Sequence, residues 1–136
     1  MSGRKRNILQ YTIKMMKVCS DLEPMNSKFY SELAFQYRLE GSYGTALDTY
    51  RDASKYDESN VDAIYGSIYC QIMQGSLEDA EQQLEFLSVV QDGTTQASSD
   101  MLFMQALLAY RKEKNPSRHL DLLADTLDAR RREQGE

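Results

Sequence analysis

Proline is almost absent: Pro24 and Pro116 are the only two in 136 residues, and glycine adds just seven further breakers. Long stretches are therefore free of residues that interrupt helices, and both prolines fall where helices should start or stop. Histidine occurs once, as His119. That removes histidine-pair metal sites and argues against Ser/His or Cys/His triads; His119 is expected on a helix surface. The two cysteines, Cys19 and Cys70, show no CxxC spacing, so neither a disulfide framework nor a zinc site is indicated, and both read as small apolar fillers. No apolar run approaches the roughly 18 residues that a membrane span needs. The basic start, Met1-Ser2-Gly3-Arg4-Lys5-Arg6, lacks the apolar core of a secretory signal, so a cytosolic location and no direct membrane insertion are expected. The turn Gly41-Ser42-Tyr43-Gly44 lacks the lysine and the preceding strand of a phosphate cradle. With no pocket chemistry in view, the chain is read as non-enzymatic, with no cofactor, metal or catalytic residues.

Basic residues are missing from one long segment. None occurs between Lys55 and Arg111, a span that holds Asp57, Glu58, Asp62, Glu78, Asp79, Glu81, Glu85, Asp92 and Asp100. The formal net charge is −5, and six of the sixteen basic residues lie at the two ends, at Arg4 to Arg6 and Arg130 to Arg132. Such a body repels phosphate backbones, so nucleic acid is not an expected partner.

What is present is helical periodicity. Seven helices are predicted, over about residues 7–20, 27–40, 43–56, 61–74, 77–91, 99–113 and 116–132, because their apolar residues recur at spacings of three and four. Their expected faces are Ile8, Tyr11, Met15, Met16 and Cys19; Tyr30, Leu33, Ala34 and Tyr37; Ala46, Leu47, Tyr50 and Ala53; Ile64, Ile68 and Ile72; Leu77, Ala80, Leu84 and Leu87; Leu102, Phe103, Ala106, Leu107 and Tyr110; and Leu120, Leu123, Ala124 and Leu127. Asn26 or Ser27 should cap the second helix, Asp57-Glu58-Ser59-Asn60 should form a capping turn before the fourth, and Asn115-Pro116 should open the last.

Two of these segments repeat. Gly41-Ser42 recurs 34 residues later as Gly75-Ser76, and Ala46 recurs as Ala80. With Tyr30, Leu33, Ala34, Tyr37, Tyr50 and Ala53 around the first copy, this spacing matches the tetratricopeptide helix-turn-helix unit, a binding scaffold. The fold expected is an all-α, right-handed tetratricopeptide-repeat solenoid of about seven helices in antiparallel pairs. Carrying the register back from Ala46, Tyr50, Ala53 and Glu58 reaches Thr12, Met16, Cys19 and Pro24, so the chain begins within a repeat. Residues 1–25 are then the second helix of a truncated repeat with a basic N-terminus, 26–59 a tetratricopeptide repeat, 60–98 a degenerate repeat with a longer loop, and 99–136 a helical hairpin with a polar tail. Ile68 stands where the motif uses a small residue, so the second pair is expected to pack more widely than the first.

Units of this kind bind extended peptides or partner helices along the surface lined by their first helices. The inward set is Lys28, Ser31, Phe35 and Arg38 on the second helix and Asp62, Tyr65, Tyr69 and Ile72 on the fourth. Phe35, Tyr65 and Tyr69 should form an aromatic groove suited to partner segments that are basic or apolar. The carboxylate clamp of chaperone-binding members is poorly matched, because Lys28 and Arg38 are the only basic residues there.

Beyond the generic motif, the string from Leu77 to Leu87, LEDAEQQLEFL, together with Ala106 to Ala109 and the run from Leu122-Leu123 to Leu127-Asp128, resembles the tetratricopeptide repeat protein 21 family. The resemblance covers Ser27 to Asp128. It implies a long helical solenoid of the intraflagellar-transport A complex, and so a non-enzymatic scaffold in cytoplasm and cilium that serves retrograde ciliary transport and cargo delivery. Its partners would be protein subunits of that transport complex. Family members are far longer, so the chain reads as a fragment or short form. The rival reading is a free-standing adaptor or co-chaperone binding peptide segments.

Overall fold

The computed structural model describes residues 3–90, 98–113 and 116–134. Seven helices and no strand occur among them: α1 (Gly3–Leu22), α2 (Ser27–Leu39), α3 (Tyr43–Tyr56), α4 (Val61–Met73), α5 (Leu77–Val90), α6 (Ser99–Glu113) and α7 (Pro116–Glu133). The chain is an all-α helical-repeat protein. It forms two compact units, Met1–Cys70 and Gln71–Glu136, with the division falling inside α4. The expected loop at 92–98 lies outside the described residues except for Ser98, as do the expected cap at Asn115 and the side chains of His119 and Leu120.

The 34-residue repeat is visible in the backbone. Gly41 and Gly75 share φ +86°, a left-handed conformation that favours glycine. Each closes its helix identically: the Gly41 and Ser42 amides donate to the Arg38 and Tyr37 carbonyls at 3.0 and 2.9 Å, and the Gly75 and Ser76 amides to the Ile72 and Gln71 carbonyls at 3.1 and 2.9 Å. This paired closure satisfies carbonyls that a helix end leaves without partners.

In the first unit α2 and α3 form a hairpin. Ala34, Ala46 and Ala53 are fully buried at its centre beside Tyr50, with Tyr30 and Tyr37 packed around them. Small side chains let the axes approach while the tyrosines fill the flanks, as the motif requires. On α4 the close approach is made by Gly66, where a Cβ would overlap the Tyr50 ring. Ile68 is fully buried.

The face expected for α1 is corrected. Leu9 and Ile13 are buried against Leu33, with Met16 and Tyr37 alongside, whereas Ile8, Tyr11 and Met15 are exposed. This helix carries two apolar stripes about one residue apart, and contact with α2 selects the second.

In the second unit α5 buries Ala80 and Leu84, as its periodicity predicts. The faces of α6 and α7 are rotated from expectation. Met101, Met104, Ala106, Leu108 and Ala109 are buried on α6, while Tyr110 is exposed. On α7 the buried residues include Thr126 and Ala129, while Ala124 and Leu127 are exposed. Met101 and Met104 fill the α6 core where leucine and phenylalanine are expected; methionine's flexible thioether suits such packing. Lys112 of α6 pairs with Glu81 of α5, and the Glu133 carboxylate at the end of α7 caps α6, accepting from the Ser99 amide at 2.7 Å and its hydroxyl at 2.8 Å.

Candidate functional site

The face shared by α2 and α4 is set at one end by capping chemistry. Asn26 caps α2 by accepting from the Lys28 amide at 3.1 Å, and Asn60, 34 residues on, caps α4 by accepting from the Ala63 amide at 3.1 Å. Asn60 Nδ2 also donates to Ser27 Oγ at 2.8 Å, and Ser27 Oγ donates to the Ala53 carbonyl at 2.6 Å. The two helix starts are thereby held together, and α3 is tied to both.

From that end, residues at spacings of three and four on α2 run Lys28, Ser31, Phe35, Arg38. Lys28 is exposed, as is Asp62 in the first turn of α4. Ser31 is buried, its hydroxyl donating to the Lys28 carbonyl at 3.0 Å. Tyr65 is 7% exposed and Ile72 fully buried, so both belong to the packing and not to an open groove. The expected row of Phe35, Tyr65 and Tyr69 is thus interrupted in the middle.

What the fold does bring together lies at the far end. The Arg38 guanidinium sits 3.9 Å from the centre of the Tyr69 ring and 5.3 Å from that of Phe35. Both distances are within the range of favourable cation–π contact. Tyr43, at the start of α3, meets Tyr69 edge to face at 6.2 Å and 61°. Phe35 remains 43% exposed, while Arg38 and Tyr69 are half-buried. The role of Tyr43 is not visible in the α2 or α4 periodicity, because it enters from the turn after Gly41.

Burial raises the pKa of Tyr50 and Tyr69 above the ordinary phenol value, an effect that the nearby Arg38 charge partly offsets. Burial pushes the Cys70 thiol up to about 11, again against a smaller opposing effect of Arg38. These groups are neutral at physiological pH, and Arg38 supplies the positive charge of the cluster. Cys70 is thus a buried filler without thiolate reactivity; Cys19 is half-buried. Among the described residues no group of His, Cys, Asp and Glu is arranged to hold a metal ion, and no helix is long and apolar enough to cross a membrane.

This arrangement suits side-chain recognition: an exposed aromatic ring, a fixed cation and a second ring on adjoining helices. Comparison with known proteins gives the family. The family described as Tetratricopeptide repeat protein 21 second ARM domain matches residues 1–134. Tetratricopeptide repeat protein 21B of Homo sapiens is 38% identical over 126 residues, covering 93% of this chain and 10% of the relative. The Mus musculus protein of the same name is 34% identical over 126 residues, with the same coverage of each chain. Tetratricopeptide repeat protein 21A of Mus musculus is 37% identical over 98 residues, covering 72% of this chain and 7% of the relative. The chain therefore spans about a tenth of the length of these relatives.

Proposed function

Because the chain belongs to the tetratricopeptide repeat protein 21 family, we propose that it is a non-enzymatic protein–protein interaction scaffold, a segment of an intraflagellar-transport A subunit. In this reading it works in cytoplasm and cilium, where it supports retrograde transport and delivery of cargo by holding other subunits of the complex. The observation that carries the binding role is the Phe35–Arg38–Tyr69 cluster. It places an open aromatic side chain and a cation on α2 against a second ring on α4, on a helical-repeat unit of the kind that takes extended segments. Lys28 and Asp62 lie on the same helices as exposed polar residues at the other end of the face. Partner segments supply apolar anchors for the rings, and basic residues in them suit the acidic remainder of the chain.

Affinity capture from ciliated cells tests this reading. The tagged chain is expected to recover transport-complex subunits, and a Phe35→Ala, Tyr69→Ala double variant is expected to recover much less. Recovery of chaperones in their place would favour a free-standing adaptor or co-chaperone.

A further inference from the structure

We propose that Arg38 is a recognition site for the side-chain carboxylate of an aspartate or glutamate in a bound protein segment, adjacent in that segment to an apolar or aromatic residue that packs on Phe35. This inference rests on the protein-binding reading above and specifies the ligand of the same surface.

The chemistry follows from how the guanidinium is held. Tyr69 lies at 3.9 Å and Phe35 at 5.3 Å from it, and it also donates a hydrogen bond to the Tyr50 side chain, so neutral groups supply its contacts without cancelling its charge and occupy only part of its five-donor fork. A guanidinium presents its N–H donors in a planar fork that matches a carboxylate and fixes its direction. Ion pairs among the described residues include Arg51 with Asp48 and Lys112 with Glu81; Arg38 is in neither. It is also half-buried, so its charge is less screened than that of the exposed Lys28. The fold thus holds a partly desolvated cation against two rings and, among the described residues, in no ion pair.

The same features narrow the ligand. Tyr50, Tyr69 and Cys70 stay neutral, so Arg38 is the charge within this cluster, while Lys28 and Asp62 lie at the other end of the face. One guanidinium balances one carboxylate, whereas phosphorylated segments are held by clusters of basic residues. The net charge of −5 on the whole chain repels a generally acidic segment, so an acidic residue is favoured at this one point, with apolar neighbours and with basic residues tolerated elsewhere. Phe35, 43% exposed beside Arg38, supplies the apolar contact next to the charge.

The test pans the full chain against a random-peptide phage library displayed through the peptide C-terminus, so that side chains supply the only ligand carboxylates. Enriched peptides should carry Asp or Glu next to an aromatic or large aliphatic residue. Synthetic versions should lose affinity about tenfold or more on Arg38→Gln, and by a similar factor when their acid is changed to the amide. The two changes together should cost little more than either alone. Arg38→Lys, which keeps the charge without the flat fork, should recover part of the loss. If Arg38→Gln lowers the melting temperature sharply, the acid-to-amide change in the peptide gives the same reading on the unaltered chain. Binders that need Phe35 and Tyr69 but lack an acid, or that ignore Arg38→Gln, overturn the carboxylate site and leave the protein-binding surface standing. Binders indifferent to Phe35→Ala and Tyr69→Ala, or no enrichment at all, overturn both.

Discussion

Asn60 donates to Ser27 across 2.8 Å while Ser27 donates to the Ala53 carbonyl, so one amide and one hydroxyl join the starts of α2 and α4 to the last turn of α3. Asn60 performs two tasks with opposite ends of its side chain: its oxygen caps α4 and its nitrogen reaches Ser27. Ser27 is buried, and the loss of either bond leaves a polar group short of a partner.

Asn60→Ala should therefore destabilise the chain by about 2 kcal/mol, combining a lost helix cap with a lost buried hydrogen bond. Asn60→Asp keeps the cap but has no donor for Ser27, so it should fall between alanine and wild type. Urea denaturation measures both. Equal stability of Asn60→Asp and wild type would show that the bond to Ser27 contributes nothing.

Gly66 gives a prediction whose sign is diagnostic. On an exposed helix face Gly→Ala stabilises by up to about 1 kcal/mol, since alanine is the better helix former. At Gly66 the added methyl would overlap the ring of Tyr50, which is 2% exposed. Gly66→Ala should instead destabilise by about 1 to 3 kcal/mol, the usual range for an overpacked core. A rise in melting temperature would mean that α3 and α4 are not in close approach there.

These two contacts show where sequence reasoning reaches and where it stops. Helix positions were legible because α2, α3 and α5 each carry one apolar stripe, and because Gly41 and Gly75 punctuate a fixed period. The faces of α1, α6 and α7 were not. In α1, Ile8-Tyr11-Met15 and Leu9-Ile13-Met16 are both acceptable stripes, and the choice between them is made by Leu33 and Tyr37 on another helix. In α6, Met101 and Met104 compete with Leu102 and Phe103 at neighbouring angles. For the candidate site, Phe35, Arg38 and Tyr69 were readable from spacing, but not their convergence on one guanidinium, since that depends on how α2 lies beside α4. The burial of Tyr65 was hidden for the same reason: periodicity assigns a residue to a side of its helix without saying what covers that side.

Glu133 predicts a pH dependence in the second unit. Hydrogen bonds from the Ser99 amide and hydroxyl hold its carboxyl below the ordinary value of 4.5. A carboxylate with a depressed folded-state pKa contributes stability that is fully present above the unfolded value and disappears as the pH falls through the folded value. The stability difference between wild type and Glu133→Gln should be constant near neutrality and shrink once the pH drops below about 4.5. Asp57, also lowered by its bonds from Ser59, is common to both variants and cancels in the difference. A gap that persists unchanged well below that pH would mean that the ionised form of Glu133 has no special role.

The last prediction separates binding from folding on the α2–α4 face. Tyr65 and Phe35 were both expected in the groove, yet Tyr65 is 7% exposed and Phe35 is 43% exposed. Truncating a buried aromatic leaves a cavity and typically costs about 3 kcal/mol or more, so Tyr65→Ala should lower stability substantially. Phe35→Ala gives up partly solvated surface and its contact with Arg38, about 1 kcal/mol or less of stability. In the complex the order should reverse, because an aromatic anchor that becomes buried on binding is typically worth roughly 2 kcal/mol when truncated. Phe35→Ala should therefore weaken partner recovery while the protein melts near the wild-type temperature. Glu81→Ala and Glu85→Ala, on α5, should change mainly salt dependence and association rate, as charges outside the anchoring contacts do. Thermal unfolding paired with affinity capture reads both axes. Loss of partner with the glutamate variants alone, and none with Phe35→Ala, would move the binding surface from the aromatic cluster to the acidic face of α5.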